Sequence, residues 1–142
     1  MKEISLYVHI PFCKQRCFYC DFPTFAGKEK YREEYIDALI KEIKEKCSNY
    51  IIKTIFIGGG TPSYLETKEL EKLLKVIKNL NLSKDIEYSM ECNPGTLTKE
   101  KLMVMKKSGV NRISFGLQSC NNKLLKEIGR IHTFEEFLEN YN

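Results

Sequence analysis

The sequence has no apolar stretch close to the ~20 residues that a membrane-spanning helix needs. The apolar segment within MKEISLYVHIPFC is too short and too polar for a signal peptide, and it lacks a small-residue cleavage site. There is no run of basic residues, and the net charge of +4 is scattered, which argues against a nucleic-acid-binding tail. These absences predict a cytoplasmic protein that has no transmembrane segment and no nucleic acid among its partners.

Cysteine is the residue whose number needs an explanation, because structural disulfides are rare in the cytoplasm. The chain contains six cysteines, and three of them lie within eight residues, at Cys13, Cys17 and Cys20. In a reducing compartment, cysteines indicate metal binding, catalysis or simple packing.

Strand-like and helix-like segments alternate along the chain, with no internal linker and no low-complexity segment. Alternation of apolar residues predicts a strand at 6–10, and apolar residues at helical spacing predict helices at 31–47 and 67–80. The other predicted elements are strands at 53–57, 86–92 and 112–115, and helices at 98–108, at 121–128 and from Thr133 onward. This order is typical of a parallel α/β sheet built from right-handed crossovers.

Four such units do not close a barrel, and a helical pattern is still running at Asn142. We therefore expect an α/β fold, namely a partial parallel (β/α) barrel of about four units. On this interpretation, residues 1–142 are the front part of a longer protein.

Each unusual segment directly follows a predicted strand. The cysteine trio follows the first strand, GGGTPS the second, ECNPG the third and GLQS the fourth. The carboxyl ends of parallel strands meet at one edge of the sheet, where barrel-like α/β proteins build their active sites. The four segments are thus predicted to form one rim.

The cysteine trio fits an iron–sulfur cluster better than a zinc site. A structural zinc ion takes four ligands, so a closed site would need His9 or a distant cysteine as well. A 4Fe–4S cluster takes one thiolate for each iron, so three thiolates leave one iron open for a substrate or cofactor. Zinc binding and three ordinary buried cysteines remain the alternatives.

The other rim residues have two interpretations each. Gly58, Gly59 and Gly60 permit either close approach of a ligand or a tight strand-to-helix turn. This loop has neither the lysine of a P-loop nor the spacing of a dinucleotide fingerprint. Glu91, at a strand end, is either a surface residue or an acceptor for ribose hydroxyls, and Tyr7 is either a packing residue or a ligand contact.

The Cys-x3-Cys-x2-Cys spacing, with Tyr19 before the last cysteine, resembles the motif of the radical S-adenosylmethionine (SAM) superfamily. The resemblance implies that the open iron chelates the amino and carboxylate groups of SAM. It also implies that an electron from the cluster cleaves SAM to a 5′-deoxyadenosyl radical. The glycine loop is similar to the segment of that family that holds the methionine end of SAM.

Longer phrases resemble the oxygen-independent coproporphyrinogen III dehydrogenase (oxidase) family. They are LYVHIPFC, CFYCDF, IFIGGGTPSYL, ECNPGTLT and RISFGLQSCNNKLLKEIGRIH, and they run from about Leu6 to His132. The resemblance implies a (β/α)6 partial barrel, of which about four units are present. It implies a 4Fe–4S cluster on Cys13, Cys17 and Cys20, with SAM contacts at Tyr7, Tyr19, Gly59, Gly60, Thr61, Glu91, Gln118 and Arg130. Cys47, Cys92 and Cys120 match no ligand position, so we expect them to be small buried residues.

One departure distinguishes two branches of that family. The dehydrogenases typically carry a further cysteine two positions after the third, whereas this chain has Cys20-Asp21-Phe22. The Asp-Phe form resembles the HemW-like haem-chaperone branch, which implies haem or a porphyrin as ligand, an electron donor such as flavodoxin or ferredoxin, and haem-receiving client proteins. The first alternative is oxidative decarboxylation of coproporphyrinogen III propionates, and the second is a zinc-stabilised module without catalysis.

Overall fold

The computed structural model describes residues 1–13, 25–26, 31–93 and 95–115 of the chain. Four parallel strands form the main sheet, in the spatial order β1 (Glu3–Ile10), β4 (Ile51–Gly59), β5 (Leu82–Cys92), β6 (Arg112–Phe115). The strands are neighbours in the order in which the chain makes them, as in a (β/α) barrel. The predicted α/β fold is confirmed.

Three helices connect the strands: α1 (Arg32–Cys47), α2 (Thr67–Lys78) and α3 (Lys99–Ser108). A short parallel pair, β2 (Phe12–Cys13) and β3 (Phe25–Ala26), and a 3₁₀ turn at Pro62–Tyr64 complete the described elements. The helices predicted at 121–128 and from Thr133 lie outside the described residues. Among the helices that the structure describes, none has both the length and the apolar character needed to cross a membrane.

Helix boundaries follow local chemistry. Thr98 accepts a hydrogen bond from the Lys101 amide (3.2 Å) at the start of α3, and Gly109 ends that helix with a positive φ of 98°. At the start of α2, Glu66 and Glu69 form a capping box, which the sequence analysis did not predict because the cap is glutamate instead of serine or threonine.

Three strands, β1, β4 and β5, begin earlier than their sequence pattern indicated, and the difference is largest for β5. The first part of β5 contains Ser83, Lys84 and Asp85, which show no apolar alternation. Leu82 lies opposite Ile52 of β4 and Glu87 lies opposite Thr54, so residues 83–86 have no paired position on β4. The pairing of Leu82 thus marks the start of β5 where side-chain burial does not.

The sheet has two unlike faces. Alternate residues point to opposite sides of a strand. The residues on the face that packs against the helices are almost completely buried; they are Val8, Ile10, Ile55, Ile57, Tyr88, Met90 and Cys92. The other face, called here the inner face, carries Tyr7, His9, Phe56, Gly58 and Glu91, of which Tyr7 and Phe56 are exposed.

Candidate functional site at the carboxyl ends of the strands

The glycine loop lies directly against the chain that leaves β1. The Gly60 amide donates to the Ile10 carbonyl, and the Thr61 amide donates to the Phe12 carbonyl, both at 2.7 Å. A Cβ placed on Gly60 would lie 2.6 Å from the Phe12 carbonyl oxygen. The glycine therefore permits close approach of another backbone, and this contact joins the glycine loop to the residue that precedes Cys13.

The first two glycines make room for side chains of the protein itself. Gly59 has a φ of 118°, and a Cβ there would lie 2.8 Å from the His9 ring. A Cβ on Gly58 would lie 2.5 Å from Oε1 of Glu91 and 2.7 Å from the Phe56 ring. Side chains of the rim thus lie next to Gly58 and Gly59, and the absence of a Cβ on Gly58 leaves room for the Glu91 carboxylate.

Glu91 is a partly buried carboxylate at the end of β5. Burial raises the pKa of its carboxyl group, while the Gly59 amide, which donates a hydrogen bond to it, and His9 partly oppose that shift. A carboxylate in this setting still has acceptor capacity for hydroxyl groups of a ligand. The structure places it on the inner face, beside the glycine loop, as the strand order predicts.

Tyr7 lies on the same face, three residues before the end of β1. Its ring stacks on Phe56, with centroids 6.0 Å apart and an interplanar angle of 13°. Its hydroxyl is 3.1 Å from Nδ1 of His9. Partial burial, and then the Glu91 carboxylate, raise the pKa of the Tyr7 hydroxyl. Tyr7, His9 and Glu91 are thus electrostatically linked at the rim.

Thr61 occupies an internal position. Its side chain is 4% exposed, and its Oγ1 accepts a hydrogen bond from Nδ2 of Asn93 (2.7 Å). The Thr61 hydroxyl, on a residue that the sequence analysis predicted to contact SAM, therefore bonds to the loop that follows β5. In this arrangement Thr61 joins the two loops.

A polar network behind the rim was missed by the sequence analysis. Ser63, which is completely buried, accepts from the Asn93 amide (3.2 Å) and shares a hydrogen bond with Thr96. Thr96 also donates to the Asn93 carbonyl (2.6 Å), and Lys101 reaches the same loops from α3. The sequence contained one partial signal of this network, because Lys101 lies in the first turn of a predicted helix, where the helix dipole disfavours a cation.

Two cysteines outside the trio are buried, as predicted. Cys47 and Cys92 are 5% and 2% exposed, and both are free thiols. Burial raises the pKa of Cys92 to about 12, so this thiol is protonated near neutral pH. Cys120 lies outside the described residues.

The cluster ligands are described only at their first member. Cys13 is in β2, paired with Ala26 of β3, next to the Phe12 carbonyl that the glycine loop contacts. Cys17, Tyr19, Cys20, Gln118 and Arg130 lie outside the described residues, so their roles stay predictions. Within the described ranges no group of three or more His, Cys, Asp or Glu side chains has a metal-binding arrangement.

Comparisons with known proteins agree with this geometry. A model of the Radical SAM superfamily matches residues 7–142. The chain is 44% identical over 133 residues to the "Heme chaperone HemW" of Bacillus subtilis, and this alignment covers 90% of the chain and 35% of that relative. The oxygen-independent coproporphyrinogen-III oxidase-like protein HemZ of the same organism is 37% identical over 150 residues, covering 99% of the chain and 30% of HemZ.

A solved structure of Escherichia coli coproporphyrinogen III oxidase (HemN), a radical SAM enzyme, superposes with a TM-score of 0.85 at 29% identity. It covers 97% of the chain and 33% of HemN. The chain thus spans about a third of the length of the relatives it matches.

Proposed function

The chain belongs to the radical SAM superfamily, and on this premise we propose that it is the SAM- and cluster-binding part of a HemW-type haem chaperone. Superfamily membership implies SAM and a 4Fe–4S cluster as cofactors. The observation that carries the proposal is the partly buried Glu91 carboxylate, held beside the glycine loop at the carboxyl rim of the sheet.

We propose Cys13, Cys17 and Cys20 as the cluster ligands. Their number supports this, because three thiolates leave one iron free to bind SAM. When bound, the cluster supplies the electron for cleavage of SAM. The hydrogen bond from the Thr61 amide to the Phe12 carbonyl supports a common site, since it joins the start of the cysteine segment to the glycine loop.

Glu91 and Tyr7 are the described side chains best placed to bind SAM. A carboxylate accepts two hydroxyl donors at once, so Glu91 suits a ribose. Tyr7 offers a hydroxyl and an aromatic face on the same side of the sheet. We propose that Gly59, Gly60 and Thr61 shape the adjoining wall, and that Tyr19, Gln118 and Arg130 complete the site.

The choice of haem chaperone over porphyrin oxidase rests on Asp21 and Phe22, because Phe22 stands at the position two after Cys20. The chain has Cys20-Asp21-Phe22 where the oxidases typically have a fourth cysteine. Its identity of 44% to a protein named as a haem chaperone exceeds its 29% identity to HemN. On this proposal the protein binds haem, takes electrons from a donor such as flavodoxin or ferredoxin, and passes haem to client proteins.

Anaerobic reconstitution of the full-length protein tests the metal assignment. We expect about four irons and a brown, oxygen-sensitive chromophore. Separate Cys13→Ala, Cys17→Ala and Cys20→Ala variants should lose the chromophore, whereas Cys47→Ala, which changes a cysteine buried against the sheet, should keep it. Stoichiometric zinc without iron uptake would contradict the assignment.

SAM binding is tested by calorimetry on the reconstituted protein. Glu91→Ala should weaken SAM binding by roughly 1–3 kcal/mol, the scale for a lost hydrogen bond to a charged group. Glu87→Ala is the matched control, because Glu87 lies on the same face of β5 but pairs with Arg112 (2.6 Å). Equal affinity of the wild type and Glu91→Ala would remove Glu91 from the site.

The decisive functional experiment is an anaerobic assay with reductant, SAM and coproporphyrinogen III, run beside a haem titration. We expect stoichiometric haem binding, slow SAM cleavage and no protoporphyrinogen IX. Many turnovers to the vinyl product without haem binding would favour the oxidase instead.

A further inference from the structure

Lys101 stands where a helix disfavours a cation. It is the third residue of α3, and the amino end of a helix carries a partial positive charge. Its own amide is used by the Thr98 cap. Helix stability therefore does not favour a lysine at this position, whereas the contacts of its side chain do.

The Lys101 ammonium group bridges two rim loops. Its Nζ donates to the Ser63 carbonyl (2.7 Å) and to the Thr96 carbonyl (2.9 Å). Ser63 follows the glycine loop after β4, and Thr96 lies in the loop after β5. Carbonyl groups of the two loops thus share one charged donor, and such charge-assisted bonds are stronger than neutral ones.

The bridge continues toward the proposed SAM site. The Thr61 and Ser63 side chains accept from Asn93, which is two residues beyond Glu91. Thr61 is likewise two residues beyond Gly59, whose amide donates to the Glu91 carboxylate. A shift of either loop would therefore change the distance between Glu91 and the glycine loop.

We propose that Lys101 is a positioning residue, which holds the loops after β4 and β5 in the relative arrangement that SAM binding by Glu91 requires. The inference rests on the proposed function, because it concerns the same site. It adds a residue that lies outside the ligand contacts and acts through the backbone of both loops.

Three variants of the full-length, cluster-loaded protein test this role. Lys101→Met keeps the aliphatic stem and removes the donors, so the two loops lose the group that holds them in the binding arrangement. We expect SAM affinity to fall about tenfold, equivalent to about 1.4 kcal/mol. Lys101→Arg keeps a charged donor for both carbonyls and should recover most of the affinity. Lys99→Met is the matched control, because Lys99 is an exposed lysine in the same helical turn.

The readouts separate positioning from general support of the fold. Affinity is measured by calorimetry, and the electron paramagnetic resonance spectrum of the reduced cluster is recorded with and without SAM. We expect Lys101→Met to keep its iron content and its spectrum without SAM, but to need more SAM for the spectral change. Thr96→Val, which removes the hydroxyl between Ser63 and the Asn93 carbonyl, should weaken SAM binding in the same direction and decides the matter if Lys101→Met does not fold.

Each outcome has a separate meaning. If the wild type binds no SAM, the proposed function fails. If the wild type binds SAM and a folded Lys101→Met binds it equally well, Lys101 has no positioning role. A lower melting temperature with unchanged affinity and spectra would likewise overturn the inference, since it would show a purely structural contribution.

Discussion

The two faces of the sheet differ although they are made by alternate residues of the same strands. In β4, Ile57 is completely buried against the helices, whereas its neighbour Phe56 is 36% exposed on the inner face. In β1, Val8 is 1% exposed and Tyr7 is 51% exposed. Burial of apolar area stabilises the fold on one face, while the other face presents groups that can contact a ligand.

The same division appears in the chemistry of the side chains. The helix-facing side is apolar apart from the hydroxyl of Tyr88 and the thiol of Cys92. The inner face combines a carboxylate, an imidazole and a phenol at the rim. Substitutions one residue apart should therefore affect mainly stability or mainly ligand binding.

The largest effect is expected for Ile57→Ala. Removal of a fully buried side chain leaves a cavity and should lower the free energy of unfolding by roughly 2–5 kcal/mol. Phe56→Ala, one residue earlier, should cost less stability because the ring is partly exposed and only stacks on Tyr7. Urea unfolding with an unchanged m-value measures both. Equal losses would mean that the inner face is also part of the core.

Two glycine substitutions test whether stability and ligand binding can be separated at the rim. Gly60→Ala places a methyl group against the Phe12 backbone, which cannot move freely, so it should cost roughly 1–3 kcal/mol of stability. Gly58→Ala instead meets the ends of the Glu91 and Phe56 side chains, which can rotate away.

For Gly58→Ala we therefore expect near-normal stability and a loss of SAM-binding free energy of roughly 1–3 kcal/mol, as for Glu91→Ala. Thermal unfolding gives the stability of both variants, and calorimetry gives their SAM-binding free energy. A Gly58→Ala protein that binds SAM normally would show that the position of Glu91 is not set by this contact.

The smallest effect is a pH dependence from Glu91. Its folded-state pKa is raised above 4.5, chiefly by burial, so between the two values the folded protein binds more protons than the unfolded chain. The contribution of Glu91 to the free energy of unfolding is therefore present below about pH 4.5 and declines as the pH rises through the raised pKa. His9 partly opposes this rise of the Glu91 pKa.

Urea unfolding of the SAM-free protein between pH 4 and pH 7 measures this decline as the difference between the wild type and Glu91→Gln. Glu87→Gln, on the same face of the strand, is the control and should follow the wild type. A constant difference between the wild type and Glu91→Gln across this range would contradict the buried environment of the carboxyl group.

Periodicity was sufficient to predict most of the fold. Apolar spacing located α1 and α2, and the predicted end of α3 at residue 108 is confirmed, because these features depend on residues within one or two turns. The position of Glu91 at the rim also followed, since it needs only the rule that parallel strands end at one edge. The polar start of β5 was not predicted because residues 83–85 show no apolar alternation, and only the pairing of Leu82 with Ile52 marks where the strand begins.

Sequence alone thus determined the parallel α/β order and the rim, and the cysteine spacing led to the prediction of an open cluster. Tertiary structure alone decided that Gly58 makes room for Glu91, that the Thr61 hydroxyl points to Asn93, and that Lys101 reaches Ser63, 38 positions away in the chain. The two kinds of feature differ in the distance along the chain between the residues that set them. Strand and helix patterns are set by neighbouring residues, whereas these contacts exist only after the crossovers have brought separate loops to the same edge of the sheet.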